Sequence, residues 1–264
     1  MSLENTIAYV EQLKKLHFRD FIYLFLRKFR PKNIETFDFS LFDFYNENNQ
    51  EYALYEKAMH ATKCCNSDNL SKRLRHIVLF QLLKSVLQTH VDGCVAECGC
   101  FKGQSAYGLA SILRESSFKS KLLVFDSFEG LSDLEIYDCN KVRTLSSEEI
   151  AQQKKQFAVS LELVKENLKD FDFIDYYKGW IPTRFDDVKD KTFIFVHIDV
   201  DLYRPIKDSL EFFYPRISNG GIICLDDYGL NQFPGAKKAV DEFIRKVNPT
   251  FFIWFPFGGA FIKK

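Results

Sequence analysis

Asp199, Asp226 and Asp227 each stand where an apolar run gives way to polar sequence. Phe193 to Ile198 is rich in β-branched and aromatic residues and stops at Asp199, with Asp201 two residues on. Gly221 to Leu225 follows an Asn-Gly-Gly turn and stops at Asp226 and Asp227. Near-continuous apolar runs describe strands buried on both faces of a parallel sheet. Between them Ile206, Leu210, Phe213 and Ile217 keep helical spacing, so the unit reads as β-α-β. Ligands of such sheets sit outside the carboxyl ends of the strands. The three carboxylates therefore converge on one rim, where crowding demands a cation or a proton. An all-oxygen ligand set favours Mg²⁺ over Zn²⁺.

A second constellation precedes them, in the stretch from Glu97 through Gly99, Cys100, Phe101, Gly103 and Gln104 to Ser105. Val91 to Cys98 reads as the first strand, and glycines at a strand-to-helix turn let the backbone approach a ligand closely. The helix that follows, through Ala106, Leu109, Ala110 and Leu113, points its N-terminal amides at the same ligand. Leu122 to Phe125 ends at Asp126, and an acid at the end of a second strand commonly bonds ribose hydroxyls. The pattern is E-x-G-x-x-x-G, not the dinucleotide G-x-G-x-x-G. It suits a nucleoside without a pyrophosphate, since Glu97 repels phosphate and welcomes an amino group.

These residues need a scaffold, and 264 residues supply one α/β domain with elaborations. Segment 71–89 is expected to be a helix that starts at a Ser cap and leads into the sheet. Ser146 and Glu149 form a capping box for a helix continuing to about Lys169. Phe171 to Tyr177 is a third strand, ending at Lys178-Gly179-Trp180. Pro234-Gly235 opens a last helix, and Phe251–Phe255 with Ala260–Ile262 form a closing hairpin. The count is seven strands, parallel except for the last. Residues 1–65 are read as a separate helical and aromatic extension that shapes an acceptor pocket or a subunit contact, and 66–264 as the catalytic domain. Leu13 to Phe29 in that extension has a basic amphipathic pattern.

A formal net charge of zero gives no footprint for nucleic acid. The 7 cysteines are odd in number and mostly lie in apolar runs, which fits reduced core thiols in a cytoplasmic protein. The longest early apolar run, Phe21 to Leu26, is too short to span a bilayer, and no signal peptide is expected. His197 shares a face with Asp199 and reads as a core histidine. Asp201 lies past the strand end, where it either faces the site or caps the next helix. Lys102 either meets a cofactor carboxylate or is solvated.

From Glu97 onward the motifs ECGCFKGQS, FDSFEGL, KGW, VHIDVDLY, GGIICLDDYG and PGAKKAVDEF resemble the macrocin O-methyltransferase family, which includes mycinamicin and novobiocin sugar O-methyltransferases. The resemblance covers residues 70–264 and implies a Rossmann-like class I methyltransferase fold, with helices on both faces of the sheet. It implies S-adenosylmethionine as cofactor, Mg²⁺ and a sugar-containing acceptor. By the same resemblance the metal falls on Asp199, Asp226 and Asp227. The cofactor falls on Glu97, Gly99 through Ser105, Asp126, Ser127 and Phe128, with Gly179 and Trp180 flanking the adenine. Asp199 is then the candidate proton acceptor from the hydroxyl. Two other readings stay open: an NAD-dependent enzyme acting on nucleotide sugars, and a catalytically silent partner with the same fold.

Overall fold

A computed structural model describes residues 49–116, 118–139 and 147–264. The expectations placed on the first 48 residues, and on Ser146, lie outside them. The chain divides into two units, Met1–Phe44 and Tyr45–Lys264, and every described element belongs to the second.

The sheet has seven strands: β1 (Cys94–Cys98), β2 (Leu122–Asp126), β3 (Ile174–Lys178), β4 (Phe193–Ile198), β5 (Ile217–Leu225), β6 (Phe251–Trp254) and β7 (Ala260–Lys263). Their order is β3-β2-β1-β4-β5-β7-β6. β1 to β5 pair in parallel, and β7 runs antiparallel to both of its neighbours. Strand order reverses between β1 and β4, and a crevice opens at the carboxyl ends of such a pair.

Two hydrophobic cores flank the sheet because successive side chains alternate between its faces. In β2, Leu122 and Val124 join one core, while Leu123 and Phe125 join the other. The first core takes in α1 (Gln50–Ala61), α2 (Leu70–Leu87), α3 (Gln104–Glu115) and α5 (Leu161–Asn167). The second takes in α6 (Tyr203–Arg216) and α7 (Pro234–Val247). The remaining α-helix among the described residues, α4 (Ser147–Gln156), precedes α5. α1 lies within the sequence counted as extension, yet its Tyr55 and Ala58 are fully buried in the first core.

Several local expectations are corrected. The cap of α2 is Asn69, whose side chain accepts from the Lys72 amide at 2.9 Å. Ser71 instead donates its hydroxyl to the Phe257 carbonyl, 2.6 Å away. The long helix expected to reach Lys169 breaks into α4 and α5, because Ser160 caps α5 by accepting from the Leu163 amide at 3.2 Å. Apolar periodicity runs across that break and hides it. Ile217, expected in the helix, starts β5, since Pro215 cannot sustain the helical ladder.

Candidate functional site

β1 and β4 end side by side, and the site grows from that juncture. The Asp199 amide donates to the Cys98 carbonyl at 2.8 Å, and the Gly99 amide to the Phe125 carbonyl at 2.8 Å. Gly99 has φ +80, and a Cβ there would stand 1.9 Å from the Asp199 carbonyl oxygen. Only glycine lets the turn after β1 lie this close to the end of β4.

From Gly99 the loop passes over the end of β2. The Asp126 carboxylate accepts from the Cys100 amide at 2.8 Å and the Phe101 amide at 3.4 Å through Oδ2, and from the Phe128 amide at 2.6 Å through Oδ1. Asp126 thus holds the glycine loop and the turn after β2 in one frame. Gln104 and Ser105, first residues of α3, are each 4% exposed and line the cavity beside it. Neither atom of the Gln104 amide finds a well-formed partner.

The cavity measures about 400 Å³. One end is lined by Gly99, Cys100, Phe101, Asp126, Ser127 and Trp180, the other by Asp199, Asp201, Asp226 and Asp227. Four expected cofactor residues are not among its lining. Gly103 and Gly179 shape the backbone behind it, the Gly179 amide donating to the Asp126 carbonyl at 3.0 Å. The Phe128 ring is buried in the first core. Glu97 is fully buried within the sheet, with Oε1 3.0 Å from His197 Nδ1, so its carboxylate faces a neighbouring strand.

At the acidic end, ligand atoms gather in two overlapping groups, His197 with Asp199 and Asp226, and Asp199 with Asp201 and Asp227, each within 4.8 Å. Asp199 belongs to both. Asp201 is 7% exposed and takes φ +59, a left-handed conformation that aspartate tolerates. Its amide donates to Asp227 Oδ2 at 2.9 Å. It does not cap α6: Asp138, from the turn beyond β2, accepts the Tyr203 amide at 2.8 Å. Sequence leaves its direction open because the bend after β4 sets it.

Asp226 is flanked by Arg75 and His197. Arg75 of α2 donates through Nε to its Oδ2 at 2.9 Å, and His197 Nε2 lies 3.9 Å from its Oδ1. Burial alone would raise the Asp226 carboxyl, but Arg75 and His197 outweigh it and hold it well below the usual range. Burial pulls His197 down, yet Asp226 and Glu97 lift it to about 10. The other acids go the opposite way. Burial and Asp226 push Asp199 up to about 7, against His197 and Arg75. Burial and the neighbouring carboxylates raise Asp201 and Asp227 well above the carboxylate range. Oxygens crowded this way, and short of positive charge, fit a hard divalent cation.

The sequence profile of the family described as macrocin O-methyltransferase (TylF) matches residues 39–250. The chain belongs to this family. A demethyldecarbamoylnovobiocin O-methyltransferase of Streptomyces niveus is 29% identical over 180 residues, which are 66% of each chain. A mycinamicin III 3''-O-methyltransferase of Micromonospora griseorubida is 25% identical over 177 residues, 65% of this chain and 67% of that one. The matched stretch thus spans about two thirds of these curated relatives. Among solved structures, the O-methyltransferase NovP superposes with a TM-score of 0.60 at 26% identity, over 71% of this chain and 78% of that one. The calicheamicin methyltransferase CalS11 shares the fold, with a TM-score of 0.56 at 16% identity over 88% and 99%. The fold is the Rossmann-like class I methyltransferase fold, and membership in this family replaces the nicotinamide-dependent alternative.

Proposed function

We propose that this protein transfers a methyl group from S-adenosylmethionine to a hydroxyl of a sugar-containing small molecule, with a divalent cation on its acidic rim. One observation carries the reading: a single cavity joins the glycine loop at one end to four clustered carboxylates at the other. The sugar acceptor rests on the names of relatives that act on novobiocin and mycinamicin intermediates.

Bound S-adenosylmethionine would supply an electrophilic methyl group, and the residues fitted to hold it are Gly99, Cys100, Phe101, Gln104, Ser105, Asp126, Ser127 and Trp180. Mg²⁺ held by Asp199 together with Asp226 and Asp227, which fall in the two ligand groups that share Asp199, would supply Lewis acidity to an otherwise poor nucleophile. The chain's own work is alignment and proton transfer. Asp126 fixes the glycine loop, and holding the reacting groups in line avoids an entropic cost on the order of 7 kcal/mol. Asp199 and Asp201 are the two carboxylates placed to accept the hydroxyl proton. Contact with the cation would keep Asp199 ionised, a weak base made adequate by its position beside the hydroxyl. Asp201 lies beside it with no hydrogen bond to Arg75. Asp199 remains the first choice.

Calorimetry tests the cofactor half: the demethylated product of S-adenosylmethionine is expected to bind with Kd of roughly 1–100 μM. Asp126→Ala weakens it by about 1–3 kcal/mol, by freeing the loop amides and by losing a charged partner for the ribose. Turnover of a sugar acceptor stops in EDTA and returns with Mg²⁺. Failure to bind the demethylated product overturns the methyltransferase reading, and turnover indifferent to EDTA overturns the metal alone.

A further inference from the structure

Arg75 is set into the acidic rim by three elements. Its Nε bonds Asp226 Oδ2 at 2.9 Å, and its Nη1 donates to Ser71 Oγ at 2.6 Å, one turn earlier on α2. Ser71 is tied in turn to the Phe257 carbonyl in the β6–β7 turn. That turn continues through Gly258 and Gly259, with φ +95 and +87, where a Cβ would stand 3.6 Å from Arg75 Nη1 and 3.4 Å from Arg75 Cδ. The glycine pair, read from sequence only as a hairpin turn, thus passes within van der Waals reach of this side chain. Arg75 is 12% exposed along its side chain and Asp226 8%, so solvent screens the pair little. Lys72, the other lysine or arginine lining the cavity among the described residues, is half-buried and bonds Ser67 instead.

A guanidinium fixed against one carboxylate acts on the others through space. Asp227 and Asp199 also hold the Arg75 charge in place. By Coulomb's law the guanidinium relieves repulsion among the carboxylates when no metal is present. It also repels any metal that binds them.

Building on the metal reading above, we propose that Arg75 is the resident counter-ion of the rim: it neutralises Asp226 in the metal-free protein and lowers the affinity of the rim for a divalent cation. Arg75 is a positioning residue, acting on the reaction through Asp226. Its charge makes cation uptake weaker than the four carboxylates alone would dictate, and keeps the empty site folded.

The test titrates Mn²⁺ into the EDTA-stripped full chain by electron paramagnetic resonance, for wild type, Arg75→Met and Arg75→Lys, with melting temperatures in EDTA and in Mn²⁺. Arg75→Met is expected to bind Mn²⁺ at least tenfold more tightly, to melt lower in EDTA, and to gain more from Mn²⁺ than wild type does. Arg75→Lys, which keeps the charge, stays near wild type in affinity. Equal or weaker Mn²⁺ binding by Arg75→Met overturns the proposal, as does an unchanged melting temperature in EDTA. Mn²⁺ bound by Arg75→Met but not by wild type supports it while refuting metal use by the native protein. Mn²⁺ bound by neither overturns both. Should Arg75→Met not fold, a folded Arg75→Met/Asp226→Asn double variant supports the counter-ion, and an unfolded one overturns it.

Discussion

The two ends of the cavity are built by opposite means. At the glycine-loop end the fixed partners are main-chain amides: those of Cys100, Phe101 and Phe128 all converge on one carboxylate, Asp126. At the acidic end the partners are charges, with Asp199, Asp201, Asp226 and Asp227 sharing Arg75 and His197. The Asp126 carboxylate is satisfied by these amides as it stands, while the Gln104 side-chain amide beside it is left without a well-formed partner. The acidic end is under-compensated, so three of its four carboxyls are pushed up toward protonation. A neutral side-chain change at the first end alters geometry, while the same change at the second alters the charge balance on which cation binding depends.

The largest expected effect separates the two ends. Asp199→Asn keeps shape but removes a proposed metal ligand and the first-choice proton acceptor together. Turnover is expected to fall by about 10³-fold or more, equivalent to about 4 kcal/mol of barrier. Affinity for the demethylated cofactor, measured by calorimetry, changes by less than about threefold, since that pocket belongs to β1 and β2. Asp201→Asn, assayed alongside, assigns the proton: a deeper loss there than in Asp199→Asn moves the base to Asp201. Full turnover of Asp199→Asn in EDTA would show that the acidic end plays no part in the reaction.

Gly99→Ala instead breaks the partition, because Gly99 is where the ends touch. The new Cβ meets the Asp199 carbonyl oxygen, and φ +80 is strained for alanine. A destabilisation of roughly 3 kcal/mol is expected in urea unfolding, together with losses in both cofactor and cation binding. Loss of cofactor affinity alone would mean that the loop yields independently and that the two ends are not mechanically joined.

Legibility in the sequence divides along the same line. At the loop end eight of the twelve expected residues line the cavity, since glycines at a strand-to-helix turn and an acid at the next strand end are local signals. Glu97 lies inside β1, one residue before its end, where the pleat turns its side chain to a neighbouring strand, and there it meets His197. At the acidic end the place of Asp199, Asp226 and Asp227 on the rim was legible, because Asp199 and Asp226 directly follow β4 and β5 and Asp227 comes next. Arg75 was not. It sits in the run Ser71-Lys-Arg-Leu-Arg75-His, where nothing local distinguishes it from Arg73, which pairs with Asp68 instead. Which of two arginines faces the site depends on the packing of α2 against β5 and on the β6–β7 turn. Asp201 was ambiguous for a related reason, since its left-handed backbone exists only in the folded bend.

The smallest expected effect asks whether charge also tunes the floor beneath the acidic end. His76 follows Arg75 on α2, is 3% exposed, and stands edge-on to Tyr55 and Phe80 with Nδ1 3.0 Å from the Lys72 carbonyl. Burial, then Lys72, drives its pKa from 6.5 down to about 3, against a smaller opposing pull from Asp226. The native protein therefore keeps His76 neutral while the unfolded chain protonates it below about 6.5. Unfolded chains then bind more protons, so this histidine's contribution is present above about pH 6.5 and is lost as pH falls toward 3, by at most about 1.4 kcal/mol per unit. Asp199, Asp201 and Asp227 run the other way, because their raised folded values favour proton uptake in the native state. A single pH curve mixes the two trends, and a difference separates them. His76→Gln retains an amide donor for the Lys72 carbonyl but cannot titrate. Urea midpoints at about pH 7.5, 6.0 and 5.0 are expected to show wild type losing ground to His76→Gln by about 1 kcal/mol per unit below about pH 6.5, and holding a constant gap above it. A gap that does not move with pH would mean that His76 is protonated or solvated in the native state, and that the charge contrast stops at the rim.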